Sequence, residues 1–261
     1  MTLTESEDNN MALLSRIENG FYRIVSGAPP KLDTFQAQAS EDLQQAYQGK
    51  SAALFFSTEG RIVEKWLHYL PIYDQLLGRY AGTDVKMIEI GVFNGGSLVL
   101  WRRLLGGKAT IFGIDINPAC AAYDDERASV RIGSQDDPQF LRNVVAEMGG
   151  VDIVLDDGSH VARHQRASFK TLFPLLNDGG IYVIEDMHTA YWPALEGGLR
   201  RRGTAIEFLK DKIDEMHRHY RVRGKNTTEA IPEIDSIQFF DSIAAVKKKK
   251  QLPRRSVAIG G

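Results

Sequence analysis

The sequence of 261 residues contains a single cysteine, Cys120, so no disulfide can form within it. That usage suits a reducing cytoplasm. No stretch approaches the roughly 18 consecutive apolar residues that a membrane helix needs; the aliphatic runs are short and interrupted by charge. The opening MTLTESEDNN is polar and acidic, without the basic start and apolar centre of a secretion signal. Charge of one sign is also lacking. A formal net charge of -2 offers no general attraction to nucleic acid or an anionic membrane. Arg200, Arg201 and Arg202 and the lysines at 247–250 form local basic runs, but no aromatic side chains that could stack on bases lie beside them. Neither nucleic acid nor membrane is therefore expected as a partner.

What is present is enough apolar material, 43% of residues, for a sizeable core. Residues 1–10 read as a tail. Leu13, Ile17, Phe21 and Ile24 recur at helical spacing before GAPP at 27–30 breaks the pattern. A polar helix is expected at 40–49. A longer aromatic one is expected at 60–80, with Pro71 as an interruption or a first-turn residue.

From residue 85 the character changes. VKMIEIGV, TIFGIDI, SVRIGS, VDIVLDD and GGIYVIED are short apolar runs that alternate with helical stretches from 97, at 138–148 and at 164–176. This alternation predicts a parallel sheet buried on both faces. A helix is expected at 204–219, and residues 236–247 read as two strands pivoting near Asp241 and Ser242. The division expected is a tail and helical extension at 1–60, a main domain at 61–250 and a tail at 251–261.

The strongest local signal is Glu89-Ile90-Gly91-Val92-Phe93-Asn94-Gly95-Gly96-Ser97, between the first strand and its helix. Ligands of open α/β sheets bind at the carboxyl ends of strands, and glycine lets backbone approach them closely. The spacing E-x-G-x-x-x-G is not the G-x-G-x-x-G of dinucleotide binders. It suits S-adenosylmethionine (SAM), which has no pyrophosphate to cradle. Asp115, ending the second strand, can accept hydrogen bonds from ribose hydroxyls. The plainer alternative is that any strand–helix turn needs glycine and that Asp115 caps a loop. Ser134 and Gln135 follow the third strand, where an adenine edge would lie, although Ser134 or Asp136 could equally cap the helix from Pro138.

Asp156-Asp157-Gly158-Ser159-His160 ends the fourth strand and Glu185-Asp186 the fifth. Neighbouring strand ends lie about 5 Å apart. The carboxylates would repel and raise each other's pKa, a conflict that a hard divalent cation such as Mg²⁺ relieves. Such a cation could hold a substrate hydroxyl and acidify it. His160, three residues after Asp157, could then take the proton as the oxygen attacks the SAM methyl. His188 and Tyr191 could line the same mouth. The alternative is that Asp157 or Ser159 merely caps the next helix.

EIGVFNGGS, GIDI, LDDGSH and IEDMHTAYWP, in this order, resemble the metal-dependent sugar O-methyltransferases of antibiotic biosynthesis, the mycinamicin and macrocin type. The resemblance covers roughly residues 60–190. It implies the Rossmann-like class I SAM methyltransferase fold: a mostly parallel seven-stranded sheet, helices on both faces and a short helical N-terminal extension. It implies transfer of a methyl group to a sugar hydroxyl of a glycosylated natural product, with SAM and Mg²⁺ as cofactors, by a cytoplasmic homo-oligomer. By the same resemblance Asp157, Glu185 and Asp186 are Mg²⁺ ligands and His160 is the general base. Glu89, Gly91 and Asp115 match the SAM site, with Asn94, Gly95, Ser97, Ser134, Gln135 and Asp156 expected around it. The front extension is short for this family, and Trp66 to Tyr69 could supply part of a lid. The competing expectations are a nicotinamide-dependent oxidoreductase and a methyltransferase-fold protein acting on another small hydroxylated acceptor.

Overall fold

The computed structural model describes residues 40–220, 233–252 and 254–260. The expected tail at 1–10, the helix at 11–26 and its GAPP break lie outside the described residues. Three helices come first: α1 (Glu41–Ala46), α2 (Lys50–Phe56) and α3 (Tyr69–Leu77). The helix expected at 40–49 is shorter, α1 alone, and Gly49 at φ 125 precedes a second helix, α2, that was not expected. The helix expected at 60–80 is shorter: residues 60–68 have no regular structure, and Pro71 falls in the first turn of α3, where its missing N–H costs nothing.

The remaining elements alternate as the apolar runs require. They are β1 (Lys86–Ile90), α4 (Gly96–Leu105), β2 (Thr110–Asp115), β3 (Ser129–Ile132), α5 (Pro138–Met148), β4 (Val151–Asp156), α6 (Ala162–Leu172), β5 (Leu176–Ile184), α7 (Ala205–Met216), β6 (Ile234–Phe239) and β7 (Ala244–Lys248). They build one seven-stranded sheet in the order β3-β2-β1-β4-β5-β7-β6. β1 to β5 are parallel, and β7 runs antiparallel to both β5 and β6. This is the class I SAM methyltransferase arrangement.

Side chains of each central strand alternate between two apolar layers. Met87, Ile153, Leu155, Ile181 and Val183 pack with α2, α3 and α4, including buried Trp101, Tyr69 and Tyr73. Ile88, Ile90, Val154, Tyr182 and Ile184 pack with α5, α6 and α7. Burial on both faces is why these strands read as nearly continuous apolar runs.

The cap of α5 is neither Ser134 nor Asp136. Asp137 accepts hydrogen bonds from the N–H groups of Gln139 (2.8 Å) and Phe140 (3.1 Å), with Pro138 at the first helical position. Lys248, within the basic run near the end, is not a solvated charge: its Nζ donates to the carbonyls of Pro174 (2.6 Å) and Leu176 (2.9 Å).

Strand order reverses between β1 and β4, whose carboxyl ends therefore open a crevice.

Candidate active site at the carboxyl edge of the sheet

Gly91 leaves β1 at φ 96, and a Cβ there would lie 2.1 Å from the Asp157 carbonyl oxygen. The loops after β1 and β4 touch at this point because residue 91 has no side chain. Gly95 turns at φ 70 into α4, where a Cβ would strike the Tyr123 ring. Asp115 stitches the loop to β2: its Oδ2 accepts from the N–H of Val92 (2.9 Å) and Phe93 (3.1 Å), and its Oδ1 from that of Asn117 (2.8 Å). A carboxylate has about four acceptor positions, so capacity for a ribose hydroxyl remains. Asn94 is half-buried on the same turn.

Glu89 lies beneath the loop and is fully buried. Its Oε2 accepts from the Ser97 hydroxyl (2.8 Å) and its Oε1 from the Trp101 indole (2.7 Å). Burial pushes its pKa up to about 7, against the opposing pull of Lys65 and of these two donors. Glu89 anchors the loop from below.

Gln135 is buried and joins two strand ends, donating to Asp156 Oδ1 (3.0 Å) and accepting from the Ser159 N–H (2.7 Å). Ser134 is half-buried, its hydroxyl 2.5 Å from Asp136 Oδ1. Asp156 is oriented away from the crevice. Its carboxylate accepts from Gln135, from the Ser168 hydroxyl (2.6 Å) and from the Tyr182 hydroxyl (2.8 Å), all buried. Burial raises its pKa although all three donors favour the anion. Asp156 is thus buried beneath the β4 end, its carboxylate held by these three donors.

The residues just beyond the strand ends converge. Asp157, His160 and Asp186 each present a ligand atom, all within 4.8 Å of one another. His160 Nε2 lies 3.6 Å from Asp186 Oδ2 and 4.0 Å from Asp157 Oδ1. His160 and Asp186 both hold left-handed backbone, φ 56 and 54, which side-chain-bearing residues adopt at a cost. His160 Nδ1 is buried without a hydrogen-bond partner.

Glu185 stands beside this trio, almost completely buried. Burial and repulsion from Asp157 raise its pKa, and Lys65 opposes them. Its Oε1 accepts from the Tyr73 hydroxyl (2.8 Å) and its Oε2 from the Lys65 ammonium (2.7 Å). Lys65 also donates to Asp157 Oδ2, and the Tyr69 hydroxyl donates to Asp186 Oδ1 (2.6 Å). Lys65 and Tyr73 were not anticipated from the sequence, and Tyr69 was expected only as part of a lid. An isolated lysine inside an aromatic-rich stretch was the available signal.

His188 is half-buried, its Nδ1 2.5 Å from the Ser242 hydroxyl, and burial lowers its pKa. The Trp66 and Trp192 rings meet its ring edge-on. Tyr191, three residues after His188, is exposed.

Residues 88–187 match the family described as "Methyltransferase domain". The chain is 36% identical over 195 residues to the 8-demethyl-8-(2-methoxy-alpha-L-rhamnosyl)-tetracenomycin-C 3'-O-methyltransferase of Streptomyces olivaceus, covering 70% of this chain and 50% of that protein. It is 38% identical over 175 residues to the L-olivosyl-oleandolide 3-O-methyltransferase of Streptomyces antibioticus, covering 61% and 44%. Among solved structures, the MycE methyltransferase of the mycinamycin biosynthetic pathway, in complex with Mg, SAH and mycinamycin VI, superimposes with a TM-score of 0.66. That match has 33% identity and covers 80% of this chain and 54% of that one. The chain therefore spans about half the length of the relatives it matches. Each of these relatives is a methyltransferase, and none is a nicotinamide-dependent oxidoreductase.

Proposed function

We propose that this chain, which carries a methyltransferase domain at residues 88–187 and is related to sugar O-methyltransferases of antibiotic pathways, moves a methyl group from SAM to a sugar hydroxyl of a glycosylated small molecule, with Mg²⁺ at the acceptor. The observation that carries this reading is the Gly91–Asp157 contact, which sets the glycine loop directly against the cluster of Asp157, His160 and Asp186. One crevice thereby serves cofactor and acceptor.

Residues 61–250 form the catalytic unit in this reading. Gly91, Asn94, Gly95 and Ser97 shape the SAM loop, and Asp115 receives the ribose. Ser134 and Gln135 border the adenine, while Glu89 and Asp156 support from below. The converging carboxylates of Asp157 and Asp186 offer the oxygen donors that a hard divalent cation takes. Asp157, Glu185 and Asp186 would hold Mg²⁺, which supplies Lewis acidity that lowers the pKa of an acceptor hydroxyl. His160 accepts the hydroxyl proton as the acceptor oxygen bonds to the methyl carbon. The S–C electron pair returns to sulfur, leaving S-adenosylhomocysteine (SAH). The aromatic rim of Trp66, His188, Tyr191 and Trp192 borders the acceptor.

No helix among the described residues is long and apolar enough to cross a membrane. The same reading places the enzyme in the cytoplasm, which a single buried cysteine suits, as a homo-oligomer.

The test is calorimetric titration with SAH, followed by methyl transfer to L-rhamnosyl and L-olivosyl acceptors. Asp115→Ala is expected to weaken SAH by about tenfold or more, the worth of a lost charge-assisted hydrogen bond. Asp157→Ala and Glu185→Ala are expected to abolish transfer yet still bind SAH. No SAH binding by the wild type would refute the cofactor, and full turnover in both carboxylate variants would refute the metal.

A further inference from the structure

Lys65 lies in the irregular stretch between α2 and α3, outside the sheet, yet its side chain is only 4% exposed. The stretch is held close by Gly96 at the start of α4: a Cβ there would meet the Ile62 carbonyl oxygen at 2.1 Å and the Val63 nitrogen at 2.6 Å. From this position Lys65 reaches Asp157 at the end of β4 and Glu185 at the end of β5, with the Trp101 ring 6.0 Å away. Burial alone would lower the pKa of the ammonium. Asp157, Glu185 and Glu89 outweigh it and hold the pKa well above that of an ordinary lysine.

An ion pair that merely fastened a loop would need one carboxylate, and a position nearer the surface would spare both partners their desolvation. Lys65 instead bridges two members of the proposed metal centre. Tyr69 and Tyr73, one turn apart on α3, hold Asp186 and the other oxygen of Glu185. Fully ionised, Asp157, Glu185 and Asp186 would together carry three negative charges, and the Lys65 ammonium against two of them reduces the sum to two.

We propose that Lys65 is a resident cation of the acidic centre, which brings its charge to that of a divalent ion's counterpart and so selects a divalent over a trivalent metal. The inference rests on the divalent-metal reading above. It assigns Lys65 a positioning and charge-setting role without contact to the reacting atoms.

The experiment compares binding of Mn²⁺, followed by paramagnetic resonance of the free ion, with binding of Tb³⁺, followed by tryptophan-sensitised luminescence. Wild type, Lys65→Met and Lys65→Arg are measured side by side. Repulsion by a fixed positive charge scales with the charge of the ion, so its removal favours Tb³⁺ more than Mn²⁺. The ratio of Tb³⁺ to Mn²⁺ affinity is expected to rise by about tenfold or more in Lys65→Met. It is expected to stay near the wild-type ratio in Lys65→Arg. An unchanged ratio in Lys65→Met would overturn the inference and leave the metal reading standing, whereas a wild type that binds neither ion would remove the metal reading itself. If Lys65→Met does not fold, the wild type decides. A slowly exchanging Lys65 ammonium correlation in ¹⁵N NMR is expected to shift on saturation with Mg²⁺. A correlation that is absent or unmoved overturns the proposal.

Discussion

Substitution of Gly91 by alanine separates two penalties that the structure superimposes. Residue 91 sits at φ 96, outside the range that residues bearing a Cβ readily adopt. The strain of such a conformation is about 1–3 kcal/mol. The added methyl would also lie 2.1 Å from the Asp157 carbonyl oxygen and 2.8 Å from its carbon. Both are backbone atoms, so no side-chain rotation relieves the clash. Forcing the two loops apart adds about 1–3 kcal/mol, as overpacking does elsewhere. Gly82 supplies the control. It has φ 76, but a Cβ there meets nothing within 4 Å. Gly82→Ala therefore bears strain alone, and the loss of unfolded-chain entropy from Gly→Ala is common to both variants. Urea unfolding should place Gly91→Ala below Gly82→Ala by about 1–3 kcal/mol. SAH affinity should fall only in Gly91→Ala, because only there does the cofactor loop move. Equal destabilisation of the two variants, with unchanged SAH binding in both, would refute the contact as the hinge of the site.

Glu89 predicts a pH dependence with a definite sign. The unfolded chain releases its proton near 4.5 and the folded chain near 7, so between those values the native state holds the extra proton and stability drains as pH rises. Relative to Glu89→Gln, which does not titrate, the wild type should lose about 3 kcal/mol across that window; parallel urea curves at pH 4.5 and 7.5 would contradict it. Tyr182→Phe removes a buried donor to Asp156 and should cost about 1–3 kcal/mol at pH 8. Because burial already raises the Asp156 pKa and loss of the donor raises it further, that cost should shrink toward acid pH, where the carboxyl is neutral in both proteins; a cost independent of pH would show that Asp156 is not charged beneath the sheet.

The sheet was legible because each strand is buried on both faces, and double burial demands an unbroken apolar run. α5 matches its expected bounds for local reasons: Pro138 opens it and Gly149, at φ 75, closes it. The stretch 60–80 misled for the opposite reason. Trp66, Tyr69 and Tyr73 recur at the spacing of one helical face, but Trp66 lies before α3 begins. Periodicity records which residues are buried, and residues 60–68 are partly buried by a tertiary contact with α4 that needs no helix.

The same distinction governs the site. Asp115, Asp157, Glu185 and Asp186 could be placed from the sequence because parallel topology collects strand ends on one edge. The resemblance alone sets Asp157 at the cation and Asp156 beside the cofactor, because one step along a strand reverses the facing side chain and the sequence does not show which way each one faces. Lys65 stands 92 residues from Asp157 and 120 from Glu185, and no local rule joins them. Electrostatic balance would have pointed there. On the proposed reading, a divalent ion would leave one of three converging carboxylate charges unbalanced, and a cation from the protein would offset it. Lys65 is the charge to seek, because an ammonium set among Trp66, Leu67 and Tyr69 bears a desolvation cost that only acidic partners offset. The imbalance of the strand ends and the misplaced lysine in the extension are thus two halves of one electrostatic requirement.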